Sequence, residues 1–166
     1  MPRSARARTV LAVLPAAFAV GLAGCGGGGT TTTHTTTTAR AAADPAQVAV
    51  VRRWADTLRR GDVTGAARLF SLPVIVANGG PPLRLQTRPE VRFFNQTLPC
   101  GAKVVSARRA RAGFMVVTFA LTERPGAGTC GTGTGRFART AIRVRHGVIT
   151  DWVRVQDLPT GPSRQI

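Results

Sequence analysis

The chain has 166 residues, enough for one domain with a hydrophobic core and too few for two sizeable ones. Its 23 basic residues, of which only Lys103 is a lysine, stand against seven acidic residues and give a formal net charge of +16. This charge favours an anionic partner such as lipid or cell-wall polymer, or a basic surface without a partner, whereas the absence of a basic motif interleaved with aromatic residues argues against nucleic acid.

The first 24 residues have the organisation of a secretory signal peptide. Arg3, Arg6 and Arg8 form a basic start without an acid, and residues 9–22 are almost wholly apolar. An apolar run of about 14 residues is too short to span a bilayer, which needs roughly 20. We therefore predict that residues 1–24 are a signal peptide rather than a transmembrane helix.

A cysteine, Cys25, ends this apolar run. Leu22-Ala23-Gly24-Cys25 resembles the lipobox of bacterial lipoproteins at every position. The resemblance implies that the Cys25 sulfur receives a lipid, that the chain is cleaved before Cys25, and that the new amino terminus is acylated. Two or three acyl chains, at about 0.8 kcal/mol per buried methylene, make a stable membrane anchor. The alternative is an ordinary signal peptide with a chance cysteine.

Residues 25–43 are predicted to be a tether. Gly26–Gly29 and the threonine-rich run that follows have too little apolar surface to fold, and His34 alone in that run is not a metal site. We therefore expect a lipid-anchored domain on the extracytoplasmic face of the cell membrane, or on an outer membrane if the organism has one.

Two cysteines, Cys100 and Cys130, remain once Cys25 is assigned to the anchor. An even pair in an oxidising compartment predicts a disulfide. A zinc site is the competing interpretation, and it lacks ligands because His146 is the only histidine left in the domain. The sequence therefore predicts a Cys100–Cys130 disulfide, no metal and no cofactor.

The folded domain, predicted over residues 44–158 with a C-terminal tail at 159–166, opens with two helices. Asp44 is an N-cap followed by proline, which starts a helix that we expect to end at Gly61. Asp62 then caps a shorter second helix that is predicted to run through Phe70.

The rest of the domain is β-rich. Two short strands flank a turn of glycine and proline, a capping box at Thr87–Glu90 opens a third helix that ends before Pro99, and four long strands follow. The predicted strands cover residues 72–77, 83–86, 103–111, 113–123, 136–145 and 148–155. This order predicts an α+β fold, with three helices in the N-terminal half packed against a mostly antiparallel sheet.

The same order resembles the nuclear transport factor 2-like superfamily, which includes the SnoaL-like polyketide cyclases and the ketosteroid isomerases. The resemblance rests on the helix break Arg60-Gly61-Asp62, the short helix after Thr87 and the closing hairpin 146–152, and it covers residues 44–157. It implies a cone-like, strongly curved sheet around the first helix, a cavity open at one end and, in many members, homodimers through the outer face of the sheet. It does not choose among enzymes, ligand binders and scaffolds.

One carboxylate, Asp151, is the candidate catalytic residue. The isomerases of the superfamily use a carboxylate base with a tyrosine and a protonated acid, and this arrangement is excluded because the chain has no tyrosine. Asp151 shares strand parity with Ile149 and Val153, so it is the candidate general base if it points into the cone. A bulge at Trp152 would reverse its direction, and a surface or ion-paired role is the alternative.

Further candidates lie on helices and strands that would face the cavity or the outside. Trp54, Asn95 and Trp152 are candidate ligand-binding residues, with core packing as the alternative for the tryptophans and a buried amide for Asn95. Strand 136–145 alternates, and one of its faces is predicted to be either solvated or an anion-binding or membrane-facing surface. The arginines of that face are Arg139, Arg143 and Arg145.

These observations lead to one function hypothesis and two alternatives. The first is a lipid-anchored envelope protein whose domain binds a small ligand or an envelope partner without catalysis. The second is an isomerase, cyclase or hydrolase that uses Asp151 as general base. The third is an accessory module with a filled cone that dimerises or docks onto another protein. An enzyme needs Asp151 in the cavity beside a polar partner, whereas a binder needs only the cavity.

Overall fold

The computed structural model describes residues 41–126 and 128–156, within which the chain forms three α-helices and six β-strands. The helices are α1 Pro45–Arg59, α2 Val63–Arg68 and α3 Arg88–Thr97. The strands are β1 Phe70–Ala77, β2 Leu83–Leu85, β3 Gly101–Arg109, β4 Met115–Thr122, β5 Phe137–Arg145 and β6 Val148–Val155. The α+β order predicted from the sequence is confirmed. The predicted signal peptide, Cys25, most of the predicted tether and the predicted C-terminal tail lie outside the described residues.

The helix starts follow the predicted capping chemistry. Asp44 accepts a hydrogen bond from the Ala46 N–H at 2.8 Å at the start of α1. At the start of α3, Thr87 and Glu90 form a reciprocal capping box. Hydrogen bonds from the backbone N–H groups of Gln86 and Thr87 lower the pKa of Glu90.

Helix α2 is shorter than predicted. It ends at Arg68, and Phe70, which we expected in the helix, is the first residue of β1. The reason is pairing with β6, because Phe70 is in register with Ile149 and the Leu69 carbonyl accepts a hydrogen bond from the Ile149 N–H at 2.8 Å. Phe70 is fully buried in the strand. A buried phenylalanine fits the inner side of a helix equally well, so its hydrophobic character does not decide between helix and strand.

The six strands form one mixed sheet in the order β2-β1-β6-β5-β4-β3. Only β1 and β6 pair in parallel, and the other neighbours are antiparallel. The register shifts within β1–β6, β3–β4 and β5–β6. Such irregularities bend strands and increase their twist, which explains why the sheet is curved rather than flat.

The hydrophobic core lies between the sheet and the helices. Helix α1 contacts β3, β5 and β6, and α2 contacts both other helices. Five aromatic residues form a chain of edge-to-face contacts with ring centroids 5.2–6.3 Å apart. They are Trp54, Phe70, Phe94, Phe119 and Trp152. All five belong to the buried hydrophobic core.

The loop between β4 and β5 is fastened by the predicted disulfide. Cys100 and Cys130 are joined with their sulfurs 2.05 Å apart, which confirms the expected pairing. Within the loop, Glu123 accepts hydrogen bonds from the Cys130 N–H at 3.0 Å and from the Thr134 hydroxyl at 2.7 Å. These two bonds lower the pKa of Glu123. The disulfide therefore joins this loop to the start of β3.

A buried arginine, Arg124, holds the end of α3. Its guanidinium donates hydrogen bonds to the carbonyls of Asn95, Gln96 and Leu98, at distances of 2.7–3.3 Å. These carbonyls are among those that a helix leaves unpaired at its C-terminal end. Arg124 is only 6% exposed, and burial lowers the pKa of its guanidinium. The arginine takes the place of a C-cap residue supplied by α3 itself.

Candidate functional site

The cone contains a cavity of about 230 Å³ beside the aromatic cluster. Its wall combines residues of α1, the segment after α3, and strands β3 to β6. Most of the wall is apolar, and its principal apolar members are Trp54, Leu58, Leu98, Phe119, Leu121 and Trp152. The disulfide residue Cys100, which directly precedes β3, also lines the cavity.

Both tryptophans that the sequence singled out lie in this wall. Trp54 and Trp152 are 3% and 4% exposed, and their rings make an edge-to-face contact at 6.3 Å. They are therefore core residues on one side and cavity residues on the other. The indole N–H of Trp152 is buried and has no acceptor among the described residues.

The third candidate, Asn95, is fully buried behind the wall and does not line the cavity. Its side-chain oxygen accepts a hydrogen bond from the Trp54 indole N–H at 2.8 Å. Its amide donates to the Val91 carbonyl, also at 2.8 Å. Asn95 therefore fixes the orientation of the Trp54 ring.

Three polar side chains line the cavity, and the sequence analysis did not single out any of them as site residues. They are Asn78, Thr140 and Arg154. Asn78 is exposed, Arg154 is partly buried, and Thr140 is 1% exposed. None has a hydrogen bond or ion pair from its side chain among the described residues. The cavity thus presents hydrogen-bonding groups and one cation, and no acidic residue of the described chain lines it.

Asp151 does not point into the cavity, because β6 contains a bulge. Arg143 is in register with Asp151, but the next residue of β5 is in register with Ile149, so Thr150 is an extra residue in β6. Beyond the bulge, Trp152 faces the core and Asp151 faces the opposite side of the sheet. The bulge lies at Thr150 rather than at Trp152. It nevertheless reverses the direction of Asp151, as expected for a bulge in this part of the strand.

On that outer face Asp151 is part of an ion pair. Its carboxylate accepts hydrogen bonds from Arg143 Nε and Nη2, both at 2.7 Å, and from the Thr150 hydroxyl at 2.7 Å. Burial acts to raise the pKa of Asp151, but these hydrogen bonds and the charges of Arg143 and Arg145 outweigh it and lower the pKa below its ordinary value. A carboxylate of lowered pKa outside the cavity is poorly suited to act as general base on a ligand inside it.

The arginine row of β5 lies on the same outer face. Arg143 is held by Asp151 and stacks over the Phe114 ring at 4.6 Å, and the Asp151 hydrogen bond raises the pKa of Arg143. Arg145 is exposed at the end of the strand, and Arg139 is partly buried and has an interaction partner. The row therefore includes one arginine whose charge is already compensated.

The described residues contain no cluster of three or more histidine, cysteine, aspartate or glutamate side chains that could hold a metal ion. No helix in ranges 41–126 and 128–156 is long and apolar enough to cross a membrane. Cys25, the predicted lipidation site, lies outside these ranges.

The bulge explains why strand periodicity did not predict that Arg154 lines the cavity. A regular strand with Ile149 facing inward places Asp151 and Val153 on the inner face and Arg154 outside. The extra residue at Thr150 exchanges the two faces from that point on. The inward aromatic Trp152, two residues before Arg154, is the signal in the sequence that fits the exchanged pattern.

The chain has the fold of nuclear transport factor 2-like proteins. No protein-family model and no curated protein matches its sequence. An NTF2-like protein of unknown function from Cytophaga hutchinsonii aligns with a TM-score of 0.50 at 9% identity, over 67% of this chain and 89% of that one. A protein with a ketosteroid isomerase-like fold from Catenulispora acidiphila, in complex with trimethylamine, aligns with a TM-score of 0.50 at 15% identity, over 66% and 85%.

A third structure of similar likeness is Bal32a, from a soil-derived mobile gene cassette. It aligns with a TM-score of 0.50 at 13% identity, over 66% of this chain and 88% of its own. At such identities the comparisons establish the cone fold, which the sequence analysis predicted, and leave the activity to the residues of the site.

Proposed function

We propose that this protein is a lipid-anchored protein of the cell envelope whose cone domain binds a small ligand without catalysing a reaction on it. The observation that supports ligand binding is the cavity of about 230 Å³ with an apolar wall and three polar side chains. The polar groups that line it are an amide, a hydroxyl and a guanidinium, and no carboxylate or imidazole of the described residues is among them. Their chemistry favours binding over acid–base catalysis.

The lipid anchor is the second part of the proposal, and the lipobox-like sequence ending at Cys25 supports it. A lipidated Cys25 followed by a glycine- and threonine-rich spacer would hold the domain at the membrane. The basic composition of the chain would also favour contact with anionic lipid or cell-wall polymer beside the anchor.

The anchor is tested by expressing the full chain and its Cys25→Ser variant in a bacterium that processes lipoproteins. We expect the unmodified chain in the membrane fraction, with an acylated N-terminal peptide that begins at residue 25 in mass spectra. The Cys25→Ser chain should lack the lipid. A chain cleaved elsewhere, or Cys25 found without lipid, would contradict the anchor and leave ligand binding unaffected.

Ligand binding is tested by NMR screening of the full chain, reconstituted in phosphatidylcholine vesicles, against a library of small organic compounds. Ala102 lines the cavity, so Ala102→Phe should fill part of it and weaken the compounds that bind. Ala141 lies on the outer face of β5, and Ala141→Phe is the matched control that should leave binding unchanged. Compounds that bind both variants equally, or a screen without any binder, would refute the proposal.

A further inference from the structure

The three polar side chains of the cavity wall lie on three neighbouring strands or their ends. Thr140 of β5 and Arg154 of β6 are directly opposite each other in the antiparallel register. Ala77 of β1 is in register with Val153, so Asn78, the next residue along the parallel pair, lies beside Arg154. Directly opposite residues on one face have Cβ atoms about 4.5–5.5 Å apart, so Thr140 and Arg154 can contact the same small group.

Neither Thr140 nor Arg154 makes a side-chain hydrogen bond or ion pair within residues 41–126 and 128–156. Arg124, Arg143 and Arg88 each donate short hydrogen bonds to carbonyls or a carboxylate. Arg154, by contrast, makes no hydrogen bond or ion pair among the described residues. The Thr140 hydroxyl likewise has no partner there, although the residue is 1% exposed. A ligand that accepts hydrogen bonds would pair with both side chains.

Charge and shape define what this corner of the cavity can accept. Arg154 is the one charged residue among the described residues that line the cavity, and a guanidinium pairs best with a planar carboxylate or a phosphate. The adjoining wall consists of Trp54, Phe119 and Trp152, which favour an apolar, preferably aromatic body. The volume of about 230 Å³ lies below the range of roughly 300–1,000 Å³ for drug-sized ligands. It suits a ligand of about a dozen non-hydrogen atoms or fewer.

We propose that the ligand of this cavity is a small carboxylate with an apolar body. Its carboxylate accepts hydrogen bonds from Arg154 and Thr140, with the Asn78 amide as a further donor at the exposed end. Its apolar part lies against Trp54 and Trp152. This inference rests on the proposed ligand-binding function and adds the chemical class of the ligand and the residues that select it.

Three probes that share a phenyl ring and a two-carbon side chain and differ in the polar group test the inference: phenylacetate, 2-phenylethanol and 2-phenylethylammonium. Binding is measured by titration calorimetry to the full chain in phosphatidylcholine vesicles, which carry no net charge. We expect phenylacetate to bind at least tenfold more tightly than 2-phenylethanol, and 2-phenylethylammonium to bind most weakly. High salt should weaken the binding of phenylacetate and leave that of the alcohol unchanged.

Variants of Arg154 and Thr140 test whether these two residues cause the preference for phenylacetate. Arg154→Met keeps the apolar stem and should weaken phenylacetate at least tenfold without weakening 2-phenylethanol. Thr140→Val keeps the shape of the side chain and should weaken phenylacetate about three- to tenfold, the effect of one modest hydrogen bond. Arg145→Met removes an exposed arginine at the end of β5 and is the matched control.

The outcomes separate this inference from the function on which it rests. Equal binding of the three probes, or a preference for phenylacetate that survives Arg154→Met, overturns the carboxylate assignment while ligand binding stands. No binding of any probe, together with binders in the library screen that carry no carboxylate, also overturns the assignment alone. Failure of the probes and of the library screen together refutes the proposed function itself.

Discussion

The Asp151 carboxylate accepts two hydrogen bonds from the Arg143 guanidinium and one from Thr150 on the outer face of the sheet. Its pKa is lower in the folded protein than the ordinary value of about 3.9, because these contacts outweigh the effect of burial. A group whose folded pKa is lowered stabilises the fold at pH values above its unfolded pKa. That stabilisation disappears as the pH falls through the folded pKa.

Asp151→Asn should therefore lower the free energy of unfolding at pH 7 by about 1–3 kcal/mol, the usual contribution of charged hydrogen bonds. The difference from the unmodified chain should shrink as the pH falls below about 4, where the carboxylate of the unfolded chain becomes protonated, and should vanish once the pH is below the lowered pKa of the native carboxylate. Calorimetric melting of both chains between pH 7 and pH 2 measures this difference. A difference that does not change with pH would contradict the ion pair as its cause.

The same variant separates structure from catalysis at this residue. Since Asp151 does not line the cavity, Asp151→Asn should leave the affinity for phenylacetate unchanged within about twofold at pH 7. Loss of binding in a variant that is still folded would place the carboxylate in the site and revive its role as a general base.

At the scale of single elements, α3 is held at each end by a different kind of contact. Thr87 and Glu90, which lie at the start of α3 itself, cap its first turn. Arg124, which follows β4, donates hydrogen bonds to the last carbonyls of α3. A guanidinium can reach three carbonyls at once because its donors form a rigid fork, and an ammonium cannot reproduce that geometry. The position of Leu98, which lines the cavity, depends on this contact.

Arg124→Lys should destabilise the domain by about 1–3 kcal/mol, because buried carbonyls at the end of α3 lose their donors. Arg136→Lys is the matched control in the same loop, since Arg136 is exposed, and it should change stability by less than about 0.5 kcal/mol. Chemical denaturation of the full chains gives both values. Equal midpoints for the two variants would show that the helix end does not need the guanidinium.

The elements were predictable from the sequence where local chemistry determines them. Asp44, Asp62 and the box at Thr87 mark helix starts through their own side chains, and glycine and proline mark the turns. The site was less predictable, because the inner face of β6 depends on a single extra residue at Thr150, which periodicity does not reveal. The contact between Arg124 and the end of α3 was also not predictable, because two groups 26 residues apart in the sequence leave no local pattern.

At the scale of the whole molecule, the disulfide links two segments separated by 30 residues. In the chain-entropy account, closing a loop of this length stabilises the fold by about 3–4 kcal/mol through its effect on the unfolded chain. The bond also joins the start of β3 to the loop after β4. The stability of the entire domain should therefore depend on an oxidising environment.

Replacing both cysteines, Cys100→Ser with Cys130→Ser, should lower the free energy of unfolding by about 3 kcal/mol. Reductant should lower the stability of the unmodified chain to a similar level and have no effect on the double variant, which serves as its own control. Denaturation midpoints with and without reductant measure both effects. Identical midpoints for oxidised and reduced chains would mean that the disulfide contributes nothing to stability.

The two tryptophans of the cavity wall have a further consequence for spectroscopy. The chain has two tryptophans and no tyrosine, so its intrinsic near-ultraviolet emission originates almost entirely from Trp54 and Trp152. Their rings are 6.3 Å apart, close enough for excitation to be shared between them. Any molecule that enters the cavity, or any loosening of its wall, should change the wavelength and the intensity of the tryptophan fluorescence. The two tryptophans are therefore an intrinsic fluorescent reporter of ligand binding in the cavity that they line.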